Sequence, residues 1–166
     1  MPYAELLCLS CYSFLRGASH PQELVARAAE LGYAAIAITD ECSLAGIVKA
    51  HVAARECGIQ LIVGSEFTLE EGLRLVALAP SRAAYSELSG LISLARRRSP
   101  KGEYELTLRD VIFHLKRCLL VWLPEDDGDT TRDVSLEVGV PMPVMMFNMD
   151  TDPGWTMEGN WGFGQP

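Results

Sequence analysis

Across residues 3–123, short apolar strand-like runs alternate with segments of helical periodicity, and the alternation ends at Pro124. A strand buried on both faces reads as an unbroken apolar run, and the helix covering it as a single apolar stripe. The pattern therefore confines the chain to βα units around a mostly parallel sheet, an α/β fold. Strands are expected at residues 4–9, 34–39, 59–63, 73–78 and 118–123. Helices are expected over residues 21–31, from a start at Ser43 or Leu44 to an end at Glu56, and over residues 83–97 and 108–115. Local signals agree with these bounds. Ser19 or His20 caps the first helix and Pro21 suits its first turn, Gly32 and Gly58 close the first two helices, and Thr107 caps the last.

Beyond Pro124 turn residues recur without a sustained pattern, in Glu125-Asp126-Asp127-Gly128-Asp129, Pro141-Met142-Pro143 and Asp152-Pro153-Gly154. Residues 134–138 and 144–147 are the two candidate short strands there. The chain thus divides into residues 1–123, a partial barrel-like domain, and residues 124–166, an acidic, Pro/Gly-containing tail expected to be poorly ordered. Charge divides at the same place. Up to Leu123 there are 13 acidic and 13 basic residues, whereas the tail holds nine acidic residues against Arg132 and so carries the whole net charge of -8. Nothing in that total argues for nucleic-acid binding by this chain alone, because phosphate contacts need a clustered positive field.

No apolar run approaches the roughly 20 residues of a membrane-spanning helix, and the Met-Pro-Tyr-Ala-Glu start lacks a basic region followed by an apolar one. A cytoplasmic location and no membrane partner are the expectation. Cys8, Cys11, Cys42, Cys57 and Cys118 are odd in number and scattered, which suits reduced thiols better than a disulfide framework. Cys8 and Cys11 form a C-x-x-C, but no second pair completes four zinc ligands.

In parallel sheets covered by helices, chemistry gathers where strands end. The second strand delivers Asp40 and Glu41 to such an edge, and the third delivers Glu66. His20, His51 and His114 fall at helix starts, interiors or ends, away from any candidate nucleophile, so no Ser-His-Asp or Cys-His order is present. Arg96, Arg97, Arg98 and Lys101 form a basic cluster at a helix C-terminus. Offsetting the helix dipole is its ordinary role there, with phosphate contact the alternative.

Three segments carry a family resemblance: Ser13-Phe14-Leu15-Arg16-Gly17-Ala18-Ser19-His20-Pro21, Ala37-Ile38-Thr39-Asp40-Glu41-Cys42-Ser43-Leu44-Ala45-Gly46 and Arg96-Arg97-Arg98-Ser99-Pro100-Lys101-Gly102-Glu103-Tyr104. They resemble the PHP (polymerase and histidinol phosphatase) domain that begins the error-prone, translesion type of bacterial DNA polymerase III alpha subunit. The resemblance implies a distorted seven-stranded βα barrel ahead of a larger polymerase body. It also implies His, Asp and Glu ligands for adjacent divalent metals at the strand ends.

Position by position, that ligand set is depleted. Leu7 and Leu9 stand where the first strand of the family carries His-x-His, and Cys11 where Asn or Asp is usual. Glu41 stands where Thr-Asp-His has its histidine, Glu66 keeps the glutamate of Gly-x-Glu, and Arg74 falls where a further histidine often opens the fourth strand. An aliphatic side chain has no lone pair for a metal, and a guanidinium opposes a cation electrostatically. Asp40, Glu41 and Glu66 therefore read as vestigial ligands, with Arg74 expected to pair with Glu66 or Glu41. No cofactor is expected, a divalent metal being the disfavoured alternative.

Only about five of seven strands precede Pro124, so the resemblance implies a truncated, unclosed barrel. The expected function is that of a catalytically inactive, structural N-terminal piece of an error-prone DNA polymerase, whose family role is nucleotidyl transfer in translesion synthesis and repair. Its partners would be the remaining polymerase body or other translesion-synthesis proteins, with DNA reached only through the parent polymerase. A standalone interaction protein and a residual metal-dependent phosphoesterase are the alternatives.

Overall fold

The computed structural model describes residues 3–124 and 144–146. In chain order the elements are β1 (Ala4–Glu5), α1 (Pro21–Glu30), β2 (Ala35–Ile38), α2 (Ile47–Cys57), β3 (Gln60–Thr68), β4 (Arg74–Ala79), α3 (Arg82–Arg98), α4 (Leu108–His114), β5 (Leu119–Leu123) and β6 (Val144–Met146). The strands follow one another across the sheet in sequence order. β1, β2 and β3 are parallel, β4 runs antiparallel to both β3 and β5, and β6 is parallel to β5. The first five strands make the curled half-barrel of a PHP-like α/β fold.

The main departure from uniform βα units is the reversal at β4. Glu70 to Gly72 is too short for a helical crossover, and Gly72 adopts a left-handed conformation with φ 81°, which returns the chain as a hairpin. Leu69 and Leu73 close that hairpin, with the Leu69 N–H donating to the Leu73 carbonyl. The reversal matters for the site, because it brings the start of β4 to the same rim as the end of β3.

Side-chain alternation sorts the sheet into two faces. On the outer face, Ile36 and Ile38 pack with Val25, Ala28, Ile47 and Ala50 of α1 and α2, while Phe67, Leu75 and Ala77 pack with Leu88, Leu91 and Val111 of α3 and α4. On the inner face Ala37, Val76 and Leu78 are buried, with Ile62, Leu119 and Val121 half-buried around them. Phe67 points outward, so its neighbour Glu66 points inward; by the same parity Arg74, beside outward Leu75, points inward as well.

Three expected bounds shift for identifiable reasons. β3, expected to end at Val63, runs on to Thr68 because residues 63–68 pair with β4 in the antiparallel hairpin, so Glu66 lies within the strand and not at its exit. The ladder of β1 ends at Glu5, because beyond it the chain is tied to β2's terminus: the Thr39 N–H donates to the Cys8 carbonyl and the Cys8 N–H to Thr39 Oγ1. α2 starts at Ile47 and not near Ser43, because residues 41–43 are held against β3. The Cys42 N–H donates to the Glu66 carbonyl and the Ser43 N–H to Ser65 Oγ. In the tail, β6 falls within the candidate strand at residues 144–147, while the candidate at residues 134–138 and the expected lack of order lie outside the described residues.

Candidate functional site

The end of β2 delivers Asp40 into the protein, 1% exposed, where it organises the loop after β1. Its Oδ1 accepts from the Ser10 N–H at 2.8 Å and from Ser13 Oγ at 2.7 Å, and its Oδ2 accepts from Ser10 Oγ at 2.6 Å. Ser13 Oγ in turn accepts from the Glu41 N–H. Ser10 and Ser13 are both buried, so these bonds are made where water does not compete, and they fix the loop against the strand end. Gly17 completes that packing, since a Cβ there would stand 2.0 Å from the Ser10 carbonyl oxygen.

Fixing the loop aims Arg16 at the rim. Its Nη1 donates to Glu41 Oε2 and its Nη2 to Glu66 Oε1, each at 2.9 Å. From the other side Arg74 Nη2 donates to the same Glu66 Oε1, also at 2.9 Å. Glu66 pairs with Val76 in the β3–β4 register, which makes Arg74 its diagonal neighbour across the hairpin. Burial disfavours charge on Arg16, but hydrogen bonds to Glu41 and Glu66 outweigh it and hold the guanidinium above its ordinary value. The Glu66 side chain is fully buried, and its Oε2 has no hydrogen-bond partner among the described residues.

Glu41 is shared as well, because Tyr104 donates its hydroxyl to Glu41 Oε1 at 3.0 Å. That phenol is pushed up to about 12, first by burial and then by the negative charge of Glu41, so it stays a donor. Arg16, Arg74, Glu41 and Glu66 together sum to no net charge. Leu7 is 41% exposed and Leu9 half-buried on the adjoining segment, and neither can donate a lone pair.

These residues do not fit a divalent metal. Asp40 spends both oxygens on three protein donors, and Glu66 Oε1 faces two guanidinia that would repel a cation. Among the described residues no group of three or more His, Cys, Asp or Glu side chains is placed to hold an ion. The structure thus brings together Asp40 and Glu41 at the exit of β2, Glu66 inside β3 and Arg74 at the start of β4, and joins Arg74 to Glu66 and not to Glu41.

The basic cluster comes apart in space. Arg96 turns inward and donates to the carbonyls of Glu41, Cys42, Gly102 and Glu103, with its guanidinium 5.2 Å from the Tyr104 ring centre. Arg98 grips both oxygens of Asp110, at 2.6 and 2.9 Å. Two of the four candidate phosphate contacts are therefore committed to protein partners, leaving Arg97 and Lys101 exposed.

Asp110 also closes the capping box of α4 with Thr107, and hydrogen bonding to Arg98 is the main cause holding its carboxyl well below the usual range. A native value below the unfolded one adds stability above the unfolded pKa, and that stability is lost as pH falls toward the native value. Asp110→Asn is therefore expected to lower the melting temperature near neutrality, with the gap to the parent closing below about pH 4. A gap that stays constant through the acid range in thermal melts would contradict this assignment.

The histidines stay outside the cluster. His20 caps α1, with its N–H donating to Glu23 Oε2 and its Nδ1 lying 3.1 Å from Cys11 Sγ; His51 is exposed on α2; His114 Nδ1 lies against the Asp110 carbonyl. All five cysteines are free, and burial pushes the thiols of Cys8, Cys42 and Cys118 up to about 11.

An error-prone DNA polymerase of Saccharophagus degradans is 63% identical over 124 residues, and that of Methylococcus capsulatus 57% over 128. These matches take in 75% and 76% of this chain but only 12% of either polymerase. Among solved structures, a protein from Bifidobacterium adolescentis assigned as a metal-dependent phosphoesterase superposes with a TM-score of 0.59 at 18% identity, covering 80% of this chain and 71% of its own. A two-domain protein from Bacteroides vulgatus with a PHP-like metal-dependent phosphoesterase region gives 0.54 at 19%, covering 72% and 34%. At such identities the two structures speak to the fold alone. No helix among the described residues is long and apolar enough to cross a membrane. The PHP domain family model matches residues 5–128, the stretch that holds the half-barrel and every residue of the rim cluster, and the chain belongs to that family.

Proposed function

We propose that this chain acts as the N-terminal, PHP-type part of an error-prone DNA polymerase, supporting nucleotidyl transfer in translesion synthesis and repair without itself hydrolysing phosphoesters. The observation that carries this reading is the rim itself, where two guanidinia converge on the buried Glu66 and Asp40 serves as a loop anchor. A phosphoesterase of metal type needs an open cation site to activate water and clamp phosphate oxygens. A rim whose two guanidinia are bonded to its own glutamates suits a scaffold. The high identity to error-prone polymerases over three quarters of the chain supports the assignment to that parent and not to a free hydrolase.

The partner in this reading is the rest of the polymerase, through which DNA is reached. The bacterial cytoplasm is the location that follows. Primer extension tests it. The purified chain should extend no primer alone, and should restore extension to a relative's polymerase body made without its N-terminal region. Its melting temperature should not respond to chelation. Failure to restore extension would remove the polymerase-module reading, and stoichiometric metal whose removal lowers the melting temperature would reinstate a metal centre.

A further inference from the structure

The loop after β1 presents two adjacent large apolar side chains to solvent, Phe14 at 85% and Leu15 at 90% exposure. Here the loop is pinned at both ends, by Ser13 on the buried Asp40 and by Arg16 on Glu41 and Glu66, and the Gly17 N–H donates to the Ser13 carbonyl. Between these anchors Leu15 sits in the left-handed region with φ 62°, a conformation a bulky residue adopts only when its surroundings impose it. Rigid, pre-ordered apolar anchors beside a polar rim are what protein interfaces use as their centres.

We infer that Phe14 and Leu15 form a docking knuckle for the polymerase body, inserting into an uncharged apolar pocket on it; this rests on the polymerase-module reading. Two observations choose that occupant. The matched region spans 12% of the length of its curated relatives, so in those proteins most of the polypeptide lies outside this region and is covalently tethered to it as the nearest large partner. The rim around the knuckle carries two arginines balanced by two glutamates, and so offers no net positive field to a nucleic acid.

The test uses the Saccharophagus degradans polymerase with its matching 124 residues exchanged for those of this chain, carrying a photo-crosslinking phenylalanine at position 14 or, as control, at Val48 on the exposed face of α2. The expected result is a position-14 crosslink into the polymerase body and none from position 48. Phe14→Ser with Leu15→Ser should then lower the melting temperature of the exchanged polymerase while leaving that of the 166-residue chain unchanged, because both side chains are solvated in the latter. An exchanged polymerase that synthesises DNA but crosslinks from position 14 to nothing, or only to a second copy, overturns the knuckle and leaves the module reading standing. An exchanged polymerase that is inactive where its parent is active overturns that reading and the knuckle with it.

Discussion

Asp40→Ala is expected to destabilise the protein by on the order of 3 to 5 kcal/mol, the largest effect of any single substitution at the rim. The size follows from what is left behind. Alanine removes the acceptor of the Ser10 N–H, Ser10 Oγ and Ser13 Oγ at once, and all three donors are buried. Asp40→Asn should cost much less, roughly 1 to 2 kcal/mol, because its Oδ1 still accepts the backbone N–H and a serine hydroxyl can rotate to accept from the new amide. Chemical denaturation of the three proteins measures both differences. Limited proteolysis supplies a second readout, since a loop released from Asp40 should be cut near Phe14 in the alanine variant before the sheet unfolds. Equal stability of the alanine and asparagine variants would mean that Asp40 acts through its charge and not as the loop's acceptor.

Much of the outer architecture was legible in the sequence because it rests on local signals. Pro21 and Gly32 bracket α1, Thr107 marks the start of α4, and the apolar run at residues 34–39 gives β2, each decided within a few residues of itself. The carboxylates Asp40 and Glu41 at the exit of β2 were legible for the same reason, while Glu66, read as a strand exit, lies inside β3. The partners of those carboxylates were not. Arg16 lies 25 residues from Glu41 and 50 from Glu66, and nothing in its own neighbourhood distinguishes a rim cation from a solvated loop arginine. Tyr104 reaches Glu41 across 63 residues. Arg96 shows the converse failure. Read locally it belongs to a basic cluster, yet the half-buried end of α3 draws its guanidinium toward four backbone carbonyls that only the tertiary fold assembles. Pairing of Arg74 with Glu66 was the one distant contact foreseeable from sequence, because the Glu-Glu-Gly turn sets the two on neighbouring strands.

Removing the arginines singly and together should reveal Glu66 as the centre of the rim. Arg74→Met leaves Glu66 Oε1 bonded to Arg16, and Arg16→Met leaves it bonded to Arg74, so each is expected to cost only about 1 to 2 kcal/mol; both guanidinia are one-third exposed, and solvent screening limits what either contributes. The double variant is a different situation. It leaves a fully buried carboxylate with no cation and no donor among the described residues, and is expected to cost on the order of 3 to 5 kcal/mol, more than the two single losses combined. Adding Glu66→Met to the double variant should recover most of that loss, since an apolar side chain of similar size has no charge to desolvate. Denaturation midpoints for the four variants and the parent close the cycle. Additive single and double losses, or a triple variant no more stable than the double, would show that the arginines act by packing and that Glu66 carries no charge they need to balance.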